Sequence, residues 1–150
     1  MILLYRGTRD GMEGKYFHNK CKNQGPTISL FKNDKGYIFG GYASIDWTGN
    51  SGNWKSAPES FIFTLTNIHG TEPTKFPNSN TNYSIYDHSE KGPTFGGGFD
   101  IHTNKDGSYA NFPHSYKDIL GKGKSIFTGD LNNSNSNFKL KEIEVFKIFK

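Results

Sequence analysis

Cysteine is almost missing from this chain: Cys21 stands alone, so no internal disulfide can form and no zinc site can rest on several thiolates. A single thiol fits a reducing compartment, where disulfides are rare. Arginine is nearly as scarce, with only Arg6 and Arg9, although the formal net charge is +4. The lysines are scattered. Lys139, Lys141, Lys147 and Lys150 come closest to a cluster, and Glu142 and Glu144 interrupt them. A nucleic-acid interface needs Lys and Arg in a stripe on one face, so the expectation is a solvated basic surface and no nucleic-acid partner. Long apolar runs are missing too. Met1–Tyr5 is too short for a signal peptide and runs straight into Arg6, Arg9 and Asp10; nothing approaches the ~18 apolar residues of a membrane span. The expected location is the cytoplasm, with no transmembrane segment. His18, His69, His88, His102 and His114 show neither HxxxH nor HxH spacing, so local sequence offers no metal site. Gly96-Gly97-Gly98 is followed by no Lys-Ser/Thr pair and no helix start, which excludes a phosphate loop; no cofactor is expected.

Aliphatics are also few, Val145 being the only valine, whereas aromatic residues reach 15%. Rings that bury ~150–250 Å² each must therefore build the core. At 150 residues the chain is read as one domain spanning 1–150, able to bury about two thirds of its unfolded surface. Its centre is Gly36-Tyr37-Ile38-Phe39-Gly40-Gly41-Tyr42-Ala43-Ser44-Ile45-Asp46-Trp47, a strand entered from the Asn33–Gly36 turn. The Gly40-Gly41 pair inside it predicts a bulge or the close approach of another backbone. A second glycine-aromatic segment, Gly92 to Ile101, is the candidate for that approach.

Along the chain, Met1–Tyr5 reads as a short strand leading into a turn at Arg6–Gly11, with Asp10 placed to cap the next element. Phe17 and Cys21, four apart, share one face of a short helix that Gly25-Pro26 ends. Thr27–Lys32 alternates as a strand. Thr48–Asn53 reads as a polar loop and Lys55–Glu59 as a turn. Ser60–Thr66 is a strong strand, Phe61, Phe63 and Leu65 opposing Ile62, Thr64 and Thr66. Asn67–Asn82 is loop-like around Lys75-Phe76, Tyr83–Tyr86 a short strand, and Asn132–Asn137 a polar loop. From Phe138 to Phe149 the chain closes on a strand with a bulge. Many short strands and few helices predict a mainly β fold, a two-sheet antiparallel sandwich flanked by short helices.

Four segments together resemble the TLDc domain family: Leu3-Leu4-Tyr5-Arg6-Gly7-Thr8-Arg9-Asp10-Gly11, Phe17-His18-Asn19-Lys20-Cys21 leading to Gly25-Pro26-Thr27, Ile38-Phe39-Gly40-Gly41-Tyr42 ending at Trp47, and Glu142-Ile143-Glu144-Val145-Phe146. Lys91-Gly92-Pro93-Thr94-Phe95-Gly96 with Asp100-Ile101 fits the family's glycine-rich segment. The resemblance implies the same β-sandwich. It also implies a cytosolic domain linked to oxidative-stress resistance and to binding the vacuolar proton-pumping ATPase, without an established catalytic reaction. Relatives usually carry a helical lead-in before the first motif, and here Met1 stands almost on it.

Two classes of function are open. In the first the chain is a non-catalytic protein-interaction domain, docking on the vacuolar ATPase or another larger assembly. Leu3, Leu4, Tyr5, Arg6 and Arg9 are then the expected partner contact, and a cytoskeletal assembly is a further alternative. In the second it is an enzyme or direct peroxide scavenger using Cys21, activated by His18, Lys20 and Lys22. Against that stands the register of Cys21 with Phe17, which points to burial. Glu142 and Glu144 share a strand face, suited to acid–base work or to pairing with neighbouring lysines. Arg6, Arg9 and Asp10 are read as tying a turn together by ion pairing, with ligand or partner contact as the alternative.

Overall fold

Period-two alternation of aromatic and aliphatic residues builds the strands of this computed structural model, which describes residues 1–149; Lys150, the last of the C-terminal lysines, lies outside the described residues. In chain order the elements are β1 (Ile2–Arg6), α1 (Gly7–Asp10), α2 (Gly14–Cys21), β2 (Thr27–Asn33), β3 (Ile38–Ala43), β4 (Ser51–Lys55), β5 (Phe61–Thr64), β6 (Thr74–Pro77), β7 (Ile85–His88), β8 (Ser108–Tyr109), α3 (Ser125–Thr128), β9 (Asn137–Phe138) and β10 (Leu140–Lys147). Six strands form one antiparallel sheet in the order β1-β10-β2-β3-β5-β6, and β4–β7 and β8–β9 form two-stranded ribbons. The fold is mainly β and antiparallel, as the sequence predicts.

Pairing of β1 with β10 sets Leu3 opposite Phe146 and Arg6 opposite Glu144, so the first and last motifs meet side by side. One face of the large sheet turns inward through Thr27, Ser29 and Phe31 on β2, Phe39 and Ala43 on β3, Ile62 on β5, and Ile143 and Val145 on β10. Over it close Ile85, Phe95, Ile101, Phe112, Tyr116 and Phe127, all buried in the same cluster. Ring contacts run through this core from Tyr5 to Phe17 (5.8 Å between centroids), Phe17 to Trp47 (5.4 Å) and Trp47 to Phe95 (5.9 Å). At ~1.5–3 kcal/mol for each fully buried large side chain, these rings replace the missing valines.

The structure corrects several local readings. The Gly40-Gly41 pair makes no bulge, because β3 keeps unbroken register with both β2 and β5. The glycine-rich segment does approach Gly41, but with the Phe95 ring rather than with backbone. Asp10 caps nothing downstream: its Oδ2 accepts the Arg6 N–H at 3.0 Å, and Glu13 precedes α2 without a side-chain cap. Residues 51–55, read as loop and turn, form a strand paired with β7. Phe76 anchors an edge strand inside the long loop, paired with β5. Strand β7 begins at Ile85, two residues beyond the Tyr83 start expected from the sequence. On β5 the residues turned fully inward are Ile62 and Thr64, leaving Phe61 half-buried and Leu65 exposed. Register shifts fall at Leu3/Tyr5 in β1 and at Leu140/Glu142 in β10.

Candidate interaction surfaces

The motif residues are mostly spent on holding the fold. His18 sits on α2, and its Nε2 lies 2.6 Å from the His88 carbonyl and 2.9 Å from that of Lys91, which ties the helix to the turn before the glycine-rich segment. The two carbonyls place an N–H on Nε2, while Nδ1 lies 3.9 Å from Asp87 without a hydrogen bond. Burial lowers the His18 pKa, with Asp87 and the two carbonyls opposing. Trp47 donates its Nε1–H to Thr27 Oγ1 at 3.0 Å. Gly96 takes φ +93° directly against the Asp100 carboxylate, a place only glycine fills without strain. Asp100 in turn accepts the backbone N–H groups of His114, Ser115 and Tyr116 at 2.7–3.1 Å. Pro93 offers its carbonyl to Thr103 Oγ1, and Gly92 packs on the same threonine. Gly25 holds a positive-φ turn after α2.

Cys21 is fully buried, and burial together with the Asp10 carboxylate pushes its thiol up to about 12. At neutral pH almost no thiolate exists there, whereas a reactive cysteine needs a lowered pKa and access. His18, on the same helix, turns its ring nitrogen to the 88–91 turn instead.

Glu142 and Glu144 form no acid–base pair. Glu142 accepts the Thr8 N–H at 3.1 Å and the Thr8 hydroxyl at 2.5 Å, satisfying donors at the start of α1. Glu144 accepts both Nε and Nη2 of Arg6, at 2.9 and 2.6 Å. Arg9 bonds Asp10 through Nε and Nη2, and the guanidinium, helped by the Arg6 N–H, holds the Asp10 carboxyl down at about 2. The ion pairs thus tie the turn, and they tie it to the last strand as well.

These contacts shape a corner at β1. Tyr5, expected at a partner contact, is instead fully buried, its hydroxyl donating to the Gly11 carbonyl at 2.6 Å. Leu4 packs partly on the core. What stays accessible is Ile2, the outer part of Leu3, and the guanidinium groups of Arg6 and Arg9, about half exposed. Strand β1 ends the sheet with no lysine or proline in it; β6, at the other end, carries Lys75 and Pro77 and follows Pro73.

Sequence reasoning missed two features of the β4–β7 ribbon. Asp87 is fully buried and accepts from Thr48 N–H (2.7 Å), Thr48 Oγ1 (2.7 Å), Gly49 N–H (2.9 Å) and Lys55 Nζ (2.8 Å). Burial alone would raise its pKa; these donors outweigh it and hold the carboxyl below its ordinary value. On the outer side of the ribbon Trp54, Tyr83, Tyr86 and Phe99 form an aromatic platform, with Trp54 43% and Tyr83 41% exposed. The one available signal was a tryptophan standing in an otherwise polar stretch. A cleft of about 490 Å³ involves none of the predicted site residues; Asp34, Lys35, Asp106 and Lys139 give it both charge signs. Among the described residues no group of His, Cys, Asp or Glu is placed to hold a metal ion, and no helix is long and apolar enough to cross a membrane.

Comparison with known proteins gives two findings. The family model of the TLDc domain matches residues 1–149. A 27-residue stretch is 59% identical to MTOR-associated protein MEAK7 of Danio rerio, a match spanning 18% of this chain and 6% of that relative.

Proposed function

The chain belongs to the TLDc domain family, and from that premise we propose that it is a non-catalytic interaction domain docking on a larger assembly, the vacuolar proton-pumping ATPase. Its contribution to oxidative-stress resistance then runs through that docking, in the cytoplasm. The observation that carries this reading is the β1 corner, an edge strand with Ile2 exposed and Leu3 half-buried, beside the half-exposed guanidinium groups of Arg6 and Arg9 in their pairs with Glu144 and Asp10. An unpaired strand edge with apolar side chains and a charged, ion-paired rim suits a protein contact. The burial and raised pKa of Cys21 support binding over thiol chemistry as the route of protection. The name of the zebrafish relative makes an MTOR-containing complex the second candidate assembly.

Hydrogen–deuterium exchange of the chain, alone and with the purified vacuolar ATPase, tests the reading. Slowed exchange within residues 2–9 on addition of the pump supports it. Unchanged exchange there at saturating pump removes the corner as the docking surface.

A further inference from the structure

We propose that the aromatic platform on the β4–β7 ribbon is a second binding site, built for an uncharged proline-rich segment in the polyproline II conformation. Trp54 and Tyr86 face one another across the ribbon, with ring centroids 4.6 Å apart. Phe99 lies nearly parallel to Trp54 at 6.0 Å and meets Tyr86 at 5.1 Å, while Tyr83 stands edge-on to Trp54 at 5.9 Å. The four rings lie outside the buried core cluster, and two of them keep some two fifths of their surface in water.

Phe99 shows that the arrangement is held against a local cost. Its φ is +62°, a conformation that a bulky side chain rarely adopts. Both sides of its backbone are fixed: the N–H donates to the Gly96 carbonyl at 3.1 Å, and the carbonyl accepts the Asn111 N–H at 3.0 Å. Next to it, Asp100 is anchored by the three amides of the 114–116 segment. The strained residue is thus pinned with its ring on the platform.

Complementarity selects the ligand. The four rings carry no ionised group, and the ion pair of the residues that follow Trp54 and Tyr86 in the chain, Lys55 with Asp87, is closed on itself at 2.8 Å. A charged ligand would find no counter-ion among them. Ring faces carry the negative side of a quadrupole, which suits the polarised C–H groups beside a proline nitrogen. Among the described residues the Trp54 Nε1–H and the hydroxyls of Tyr83 and Tyr86 meet no protein acceptor. A polyproline II segment brings carbonyls that have no internal hydrogen bonds, and little conformational entropy to lose. One turn of it, about 9 Å, matches the reach of three neighbouring rings.

This site is separate from the β1 corner, so the two proposals fail separately. Trp47 is buried and hydrogen-bonded, so a ligand-dependent change in tryptophan emission reports on Trp54. A deca-proline peptide should shift the emission to the blue and saturate, while a Gly-Ser peptide of equal length should not. Tyr83→Ala, at an exposed position, should weaken binding about tenfold or more with an unchanged urea midpoint, as truncating an aromatic anchor does. Leu3→Ser with Arg9→Glu should leave the titration unchanged. No response to millimolar deca-proline, an equal response to Gly-Ser, or unaltered binding by Tyr83→Ala would overturn the site. So would saturation by maltoheptaose with none by the proline peptide, which would make it a sugar site. Loss of binding in the folded β1-corner variant would show that the two surfaces are not separate.

Discussion

Placing a methyl group on Gly41 challenges the contact that joins the two layers. A Cβ there would lie 2.5–2.7 Å from Cζ, Cε2 and Cε1 of Phe95. Carbon atoms prefer ~3.5–4.0 Å, so the ring must withdraw by about 1 Å. It has little freedom to do so. Phe95 is fully buried, edge-on to Trp47, and its N–H and carbonyl are both bonded to Ile101, at 2.9 and 3.2 Å. Overpacking of this kind costs ~1–3 kcal/mol, and the better strand propensity of alanine returns only part of it. We expect Gly41→Ala to lose ~2 kcal/mol and Gly41→Val ~3 kcal/mol by the same overpacking argument. At a urea slope of ~1–3 kcal/mol/M the alanine variant moves the midpoint by about 1 M. The control is Phe95→Leu, which removes the clashing ring atoms. Gly41→Ala in that background should cost less than in the native chain, with a coupling of ~0.5–3 kcal/mol. Gly40→Ala should show no such rescue, because its Cβ meets the Ser29 carbonyl of the neighbouring strand. An unchanged midpoint for Gly41→Ala, or strict additivity with Phe95→Leu, would refute the contact.

With the Cys21 thiol held up to about 12, the unfolded chain loses that proton near pH 9 while the folded chain keeps it. Stability should therefore fall as pH rises from 9 towards 12, more steeply than in Cys21→Ala, and native Cys21 should resist iodoacetamide until the fold is melted. His102 behaves oppositely: burial, with the Lys91 ammonium 3.0 Å from Nε2, lowers its pKa to about 4. The unfolded histidine takes up its proton first, so the contribution of His102 is complete above pH 6.5 and is lost as pH falls towards 4; urea midpoints of His102→Gln should vary less across that window. Asp87→Asn removes the charge that pairs with Lys55 and turns one of its two acceptor oxygens into a donor, and calorimetry should show a loss of ~3 kcal/mol.

The strands that carry rings and aliphatics were legible in the sequence, because alternation there reports which side is buried: β2, β3 and β10 appear where the pattern puts them. Strand β4 was hidden because its own residues, Trp54 apart, are polar or glycine. Gly52 and Asn53 look like loop, and the segment is held by pairing with β7 and by Lys55 reaching Asp87. Strand β6 was masked by the prolines around it, which are tolerated because it is an edge. On β5 both faces are apolar, so alternation could not say which one turns inward. Among the candidate site residues, burial of Cys21 followed from its register with Phe17. The roles of Glu142 and Glu144 could not be read, since their partners Thr8 and Arg6 lie over 130 residues away in the chain. Within the family motifs, Tyr5, Phe17, Trp47, Phe95 and Gly41 form the packed axis of the domain, whereas Leu3, Arg6 and Arg9 of the first motif stand at the surface.

Docking through the β1 corner is tested by equilibrium binding of the folded chain to the purified vacuolar ATPase. The native protein is compared with Cys21→Ser and with the pair Leu3→Ser and Arg9→Glu, each at matched folded fraction by circular dichroism. Binding should be saturable, survive Cys21→Ser and weaken about tenfold or more in the corner variant, as loss of an interface anchor does. Binding that is indifferent to the corner variant, or lost with Cys21→Ser at equal folded protein, would contradict it.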